Sequence, residues 1–276
     1  MKTPLISIII PCFNHGQFID EAIISIEKSG RKDYELIIIN DGSTDEYTNV
    51  RLIELKKQGY NIILQKNQGL GKTRNNGIRI ATGAYILPLD ADNMITPEFL
   101  GKALNVFESN PQVSIVYSDR QLFGNSNECI NVGEFNLSRL INMNYIDACA
   151  IYRKEDWERI GGYDENMPVQ GWEDWDFWLS AAEKNLSFYY IPEPLFLYRV
   201  LDNSMLQQLN RNTRLNSLIE YIYKKHISLL LKEYRRITYE LEKGGNSAIE
   251  LLDFENANPL RSSMKYLKKW LFRKKF

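Results

Sequence analysis

The sequence predicts an α/β fold in which a mostly parallel sheet is flanked by helices and followed by a helical C-terminal extension. Three observations predict it. Short runs that are apolar on both faces alternate with stretches of helical periodicity from "LISIIIP" to "VSIVYSD", the pattern of buried strands joined by crossover helices. The ends of the first four runs are polar, glycine-rich or acidic, and ligands of open α/β sheets bind beyond the carboxyl ends of the strands. The charge also changes along the chain. Residues 205–276 carry 15 Lys/Arg against 7 Asp/Glu, a balance of +8, which leaves −9 (19 against 28) for residues 1–204.

Each element has a local cause. "LISIIIP" is an apolar strand, and Phe18, Ile19, Ala22, Ile23 and Ile26 recur at helical spacing after it. "YELIIIND" is the second strand, with a helix from Glu46 to Gln58. "YNIILQ" is the third strand, Leu70–Ala81 the third helix and "AYILPLD" the fourth strand. Thr96 as N-cap and Pro97 at the first helical position open the next helix, "TPEFLGKALNVFESNP". "VSIVYSD" is the fifth strand. Beyond Arg120 the pattern predicts hairpin and edge elements over 120–135, a short helix near 137–142, then a strand, a short helix and a turn at Gly161 and Gly162. In "GWEDWDFWLSAAEKN", Trp175, Leu179 and Ala182 recur at helical spacing, with Glu173 and Asp174 at the helix start.

Composition bounds the function classes. With 276 residues and 44% hydrophobic content, the chain can bury a substantial core as one large domain or two smaller ones. Cys12, Cys129 and Cys149 are widely spaced with no CxxC pair, so neither a disulfide framework nor a zinc ribbon is indicated, and a reducing cytoplasmic setting is expected. No run of 18 apolar residues occurs, so no bilayer span is expected. His15 and His226 are the only histidines and stand in no metal-ligand spacing; His15 is expected near a pocket mouth and His226 at a surface or packing position.

The fourth strand ends in "LPLDADN", with Ala91 between Asp90 and Asp92. Carboxylates at i and i+2 point the same way if the strand continues, so they can hold a hard divalent cation together, or one can hold it while the other takes a sugar hydroxyl. Read alone, such a pair more often forms a strand-end turn. "GLGKT" fails as a phosphate loop because Lys66 stands where the first Gly is required, and Arg74 stands where a dinucleotide fingerprint needs its third Gly.

The order "SIIIPCFN", "IIINDGSTD", "NQGLGKTRNNGIRIATGAYILPLDADN" and "GWEDWDFW" resembles the family-2 glycosyltransferases of the Rossmann-like GT-A fold. The resemblance implies a nucleotide-diphospho-sugar donor, with UDP the commonest base, and inversion at the anomeric carbon. It places Pro11, Phe13 and Asn14 in the nucleotide pocket, Asp41 at the base, Arg74 near the diphosphate, Asp90 at the ribose or sugar and Asp92 on the metal. It assigns Asp174 as general base and Glu173 as an acceptor-positioning ligand. Residues 1–98 would form the donor half and 99–204 the acceptor half of the catalytic domain, and 205–276 the extension.

The chemistry asks for these residue types independently. A departing nucleoside diphosphate is eased by Mn2+ or Mg2+ and a nearby cation, the parts given to Asp92 and Arg74. An attacking hydroxyl needs a carboxylate to take its proton, the part given to Asp174. Trp172 could stack on a sugar face, whereas Trp175 and Trp178 read as core. Asp176 reads as an acidic residue favouring a helix N-terminus.

Two departures matter. The resemblance implies a His two residues after Arg199, where Leu201 stands, with Asp202 as a substitute; and Asn212 replaces the Trp of the QxxRW pattern of membrane-embedded polymerases. A single-transfer enzyme acting on a glycan or lipid-linked acceptor in cell-surface polysaccharide assembly is therefore expected. "RSSMKYLKKWLFRKKF" has seven basic and no acidic residues among aromatics. Such a segment suits peripheral binding to an anionic membrane on its inner face, and equally suits packing on the domain, assembly or a free end. Nucleic acid is not an expected partner, because the catalytic portion is acidic. A sugar nucleotidyltransferase and a non-catalytic nucleotide-sugar-binding or glycan-binding scaffold are the competing readings.

Overall fold

The structure is a computed structural model that describes residues 3–202 and 214–243. Strands β1 (Ile6–Cys12), β2 (Tyr34–Asp41), β3 (Asn61–Gln65) and β4 (Tyr85–Pro88) alternate with helices α1 (Ile19–Glu27), α2 (Glu46–Lys57) and α3 (Leu70–Ile80). All four strands run parallel in the order β3-β2-β1-β4. The period of two along β1 sends Ile9 to one face, and Ile8 and Ile10 to the other, so each face carries its own core.

The second half departs from a parallel sheet. After β5 (Met94–Ile95), α4 (Phe99–Ser109), β6 (Ile115–Gly124), β7 (Cys129–Ile130) and α5 (Leu137–Asn142) come β8 (Ile151–Arg153), α6 (Lys154–Ile160), α7 (Glu173–Glu183) and β9 (Phe188–Val200). β8 inserts antiparallel between β4 and β6, β6 runs parallel to β9, and β5 pairs antiparallel with β9. The two-residue β5 has too little pattern to be read from sequence.

Helix α3 lies close on the sheet because Gly77 has no side chain. A Cβ there would stand 2.5 Å from Ile9 Cγ2 and 2.8 Å from Ile39 Cδ1. That approach sets the depth of Arg74, one turn earlier. The predicted start of α4 needs correction: residues 96–98 form a turn, Glu98 is the N-cap residue, and Thr96 Oγ1 is buried without a partner. Main-chain pairing of Thr96 N–H to Leu195 O draws this residue into the β5–β9 corner instead.

Helices α8 (Arg214–Lys225) and α9 (Ile227–Lys243) pack on the face that carries α7, with Leu218, Ile222, Leu229 and Leu230 buried in the same cluster as Trp175 and Phe177. Asp176 lies in the first turn of α7, as its position suggested, but it does more than favour the helix start. It is buried, Lys225 Nζ stands 2.8 Å from Oδ2, and His226 Nε2 stands 2.9 Å from Oδ1. Lys225 also donates to Asp164 Oδ2 at 2.7 Å. His226 is therefore a packing residue, enclosed between Asp176 and Glu183. The basic segment 261–276 and Asn212 lie outside the described residues. Among the described residues no helix is long and apolar enough to cross a membrane, and the three cysteines are free.

Candidate active site

The carboxyl edge of the sheet is built from hydrogen-bonded loops. Asn14 follows β1 with φ +56°, a left-handed conformation that Asn tolerates better than most residues. Its Oδ1 accepts from Thr44 N at 2.7 Å and Asp45 N at 3.2 Å, and its N–H donates to Ser43 Oγ at 3.0 Å. Asn14 thus ties the loop after β1 to "DGSTD". Asp41 ends β2 and is 4% exposed; it accepts from Gln65 Nε2, Gln68 N and Gly69 N at 2.7, 2.8 and 3.0 Å. These bonds fix the entry to α3, where Gly69 supplies φ +89°. Pro11 is buried within β1 opposite Ile39, whereas Phe13 is 44% exposed at the rim.

Asp90 and Asp92 do not continue the strand. β4 stops at Pro88, and Asn93 N–H bonds back to Asp90 O at 3.0 Å, closing a turn. The same-face argument for the pair therefore fails, and the two side chains take different partners. Asp90 Oδ1 accepts from Arg74 Nη2 at 2.7 Å; Asp92 Oδ2 lies 3.7 Å from His15 Nδ1. Ala91 between them is buried. Burial first, then the charge of Asp90, pushes the Asp92 carboxyl up to about 6. Arg199 at the end of β9 holds the turn: its Nε donates to Asp92 O at 2.9 Å and its N–H to Asn93 Oδ1 at 2.8 Å, with its guanidinium between the rings of Phe18 and Phe123. Asp202 accepts from Asn125 Nδ2 at 2.7 Å.

Arg74 is not a solvated residue. Its side chain is 2% exposed, its Nε has no partner, and it lies over the Tyr163 ring at 5.5 Å. Burial works against its charge, but Asp90, Tyr163, Glu173 and Asp174 outweigh it and hold the guanidinium protonated.

The start of α7 completes the cluster. Glu173 is buried with Oε1 accepting from Gly171 N at 2.9 Å, and burial raises its pKa. Asp174 is half-buried; Oδ1 accepts from Trp175 N and Oδ2 from Asn144 Nδ2, both at 2.8 Å. Burial and the nearby Asp147 push it up to about 7. Trp172 is half-buried and meets Trp175 edge-on. Trp175 and Trp178 are core residues, as their spacing indicated, and their indoles donate to Leu140 O at 2.6 Å and Ile146 O at 3.0 Å.

The fold thus brings Asp90, Glu173 and Asp174 around Arg74, sets Asp92 beside Asp90, His15 and Arg199, and sets Phe13, Asn14 and Asp41 along the neighbouring β1–β2 rim. Sequence reasoning missed Asn144, Asp147 and Arg199. "NMNYIDACA" carries no motif spacing, although a lone Asp just before an apolar run was a visible signal.

Comparison with known proteins agrees with this architecture. A solved structure of Staphylococcus aureus TarS in complex with UDP-GlcNAc superposes with a TM-score of 0.66 at 18% identity, covering 82% of this chain and 66% of that one. The mannosyltransferase PcManGT of Pyrobaculum calidifontis, in complex with GDP-Man and Mn2+, gives 0.61 at 17% identity, covering 83% and 65%. The fold is GT-A. An uncharacterised glycosyltransferase of Rickettsia conorii is 26% identical over 270 residues, 95% of this chain and 44% of the relative. Chondroitin synthase of Escherichia coli is 25% identical over 189 residues, 66% of this chain and 27% of the synthase. The chain spans less than half the length of these two relatives. The profile described as "Glycosyl transferase family 2" matches residues 7–161, more than half of the sequence, and the chain belongs to that family.

Proposed function

We propose that the protein transfers a glycosyl group, with inversion, from a nucleotide-diphospho-sugar to a hydroxyl of a glycan or lipid-linked acceptor. The observation that carries the reading is the convergence of Asp174 with Asp90 and Arg74 from elements about 80 to 100 residues apart. Asp174, held by Asn144 and Trp175 N–H, takes the acceptor proton as the acceptor oxygen bonds to the anomeric carbon. The bond from that carbon to the diphosphate oxygen breaks, and its electron pair leaves with the nucleoside diphosphate. A base that titrates near neutrality serves this step well. Glu173 orients the acceptor, Asp90 takes a ribose or sugar hydroxyl, and the exposed Phe13 ring offers a face to the base. Trp172 offers a face to the acceptor sugar.

Asp92 suits a divalent cation. Its carboxylate accepts no side-chain hydrogen bond among the described residues and is short of positive charge. Those residues contain no group of three or more His, Cys, Asp or Glu poised for a metal, so the fit is to an ion that takes one carboxylate here and the remaining oxygens from phosphate and water, as Mg2+ and Mn2+ do. When bound, such an ion neutralises charge on the departing diphosphate. The Mn2+ complex of PcManGT supports this assignment.

Release of nucleoside diphosphate from a panel of UDP-sugars and GDP-sugars tests the proposal. Wild type is expected to release it from one donor, and Asp174→Asn to lose release by at least 100-fold while still binding nucleotide. Unchanged release by Asp174→Asn contradicts it. The outcome also separates this reading from a sugar nucleotidyltransferase, which would release no nucleoside diphosphate from these donors and would need a nucleoside triphosphate and a sugar 1-phosphate to turn over, and from a scaffold, which would bind without turnover.

A further inference from the structure

Asn75 stands beside Arg74 in α3 and is 1% exposed. Asn is a weak choice for a helix interior, and a buried amide is costly unless its polar groups are paired. Here all of them are. Oδ1 accepts from Tyr163 N at 2.9 Å and from Trp157 Nε1 at 3.1 Å, while Nδ2 donates to Tyr163 O and to Glu165 Oε1, both at 2.9 Å. The two donors and two lone pairs of the amide are thus used up. The side chain holds both main-chain groups of Tyr163, as a neighbouring strand would, and its partners lie 82 to 90 residues downstream in α6 and the turn after it.

That turn is shaped to receive it. Gly162 has φ +81°, and a Cβ there would stand 2.8 Å from Asn75 Oδ1 and 3.2 Å from Trp157 Nε1. One turn earlier in α3, a Cβ on Gly71 would stand 3.2 Å from both Asp164 O and Glu173 Cγ. Between the two contacts, the Arg74 guanidinium lies 5.5 Å from the centre of the Tyr163 ring, and that ring stacks on Phe177 of α7 at 4.5 Å. Residues 71, 74 and 75 share one face of α3, and that face is seated on the segment leading into Glu173 and Asp174.

We propose that Asn75 is a positioning residue: by pinning the Gly162–Tyr163 turn to α3, it sets where Asp174 stands relative to Arg74 and Asp90. An apolar side chain of similar size would fill the space without fixing α6 and the turn along α3. Four directional bonds admit one register. The consequence for rate rests on the transferase reading, in which the base and the leaving diphosphate act on opposite sides of one carbon; a displacement of about 1 Å there can cost on the order of 100-fold. Asn75, sealed in the protein, acts only through the residues it holds.

The test uses the full chain as wild type, Asn75→Leu and Gly162→Ala, the second variant disturbing the same contact from the other side. Titration with nucleoside diphosphate and Mn2+ counts the competent donor sites. Release of nucleoside diphosphate from the UDP-sugar or GDP-sugar that wild type turns over is then expressed per site. Both variants are expected to bind nucleotide as wild type does and to release about tenfold less per site. A purely structural role lowers the number of sites and leaves release per site unchanged. That result in folded Asn75→Leu overturns the proposal, as does a loss confined to nucleotide affinity; if Asn75→Leu does not fold, Gly162→Ala decides in its place. Amide exchange at Tyr163 needs no substrate and is expected to quicken in Asn75→Leu, because its N–H loses its acceptor. Unchanged exchange there overturns the pin itself. Release by wild type from no donor would contradict the transferase reading, and exchange would still decide whether Asn75 holds the turn.

Discussion

Arg74 Nη2 lies 2.7 Å from Asp90 Oδ1, with the arginine side chain 2% exposed and the aspartate 32%. One end of this pair is sealed in protein and the other opens to the cleft. The arginine therefore acts as the fixed counter-charge of a carboxylate cluster, and its removal would leave Asp90, Glu173 and Asp174 facing one another without it.

Arg74→Met is expected to destabilise the protein by about 3 kcal/mol at pH 7.5, and Arg74→Lys by less, since breaking one side of a buried pair leaves the other uncompensated. Urea unfolding measures both. A change below about 0.5 kcal/mol for Arg74→Met, the size of an ordinary surface substitution, would show that the cluster does not depend on it.

Asp174 predicts a stability gain with a definite pH sign. Its folded pKa, pushed up to about 7, lies above the unfolded carboxylate value of about 3.9. Between those values the native state holds a proton that the unfolded state has lost, so this group lowers stability as pH rises from about 4 to 7. Asp174→Asn removes that loss and should raise stability at pH 8 by an amount on the order of 2 kcal/mol, with little effect at pH 4. Thermal unfolding of both proteins at the two pH values checks it. Equal shifts at both would remove the electrostatic explanation.

Asp176 carries the C-terminal helices rather than the chemistry. Asp176→Asn removes the buried carboxylate that Lys225 shares with Asp164 and that meets the His226 ring, and is expected to cost about 3 kcal/mol. Limited proteolysis should then cut near α8 at lower protease concentration than in wild type, while nucleotide binding persists. Loss of nucleotide binding in a still folded Asp176→Asn would place this residue in the site.

The indoles of Trp175 and Trp178 each satisfy a buried carbonyl, on Leu140 and Ile146. Phe at either position keeps most of the apolar bulk but leaves that carbonyl unpaired, at a cost of about 1 to 3 kcal/mol. Hydrogen exchange should show weakened protection in residues 140–147. Unchanged exchange there would mean that the loop is held by other contacts.

Much of the donor half was legible because its elements are long and periodic. The apolar runs of β1 and β2 and the glycine-punctuated loops after them act locally, so their elements could be read from spacing, whereas Asp41, Arg74 and Asp90 were singled out by the resemblance to family-2 glycosyltransferases. The acceptor half was less legible for a physical reason. β8 inserts between strands far away in sequence, β5 is two residues long, and the α7 carboxylates meet Asn144 and Asp147 only after that insertion. Asp176 shows the same limit: its partners, Lys225 and His226, lie about 50 residues downstream, and no local pattern announces them. The i, i+2 argument for Asp90 and Asp92 named two residues that do share one edge, although the turn, not a continuing strand, brings them there.

The measurement that tests the central claim most directly is the thermal midpoint of the purified protein with UDP, GDP, dTDP and CMP, with and without Mn2+, repeated on Asp92→Ala. A ligand at 100 times its Kd stabilises the folded state by about 2.7 kcal/mol. The account predicts a raised midpoint for one diphosphate nucleotide, dependent on both Mn2+ and Asp92. No shift of the wild type by any nucleotide at saturating metal would contradict it, and would move a scaffold role for this fold to the front.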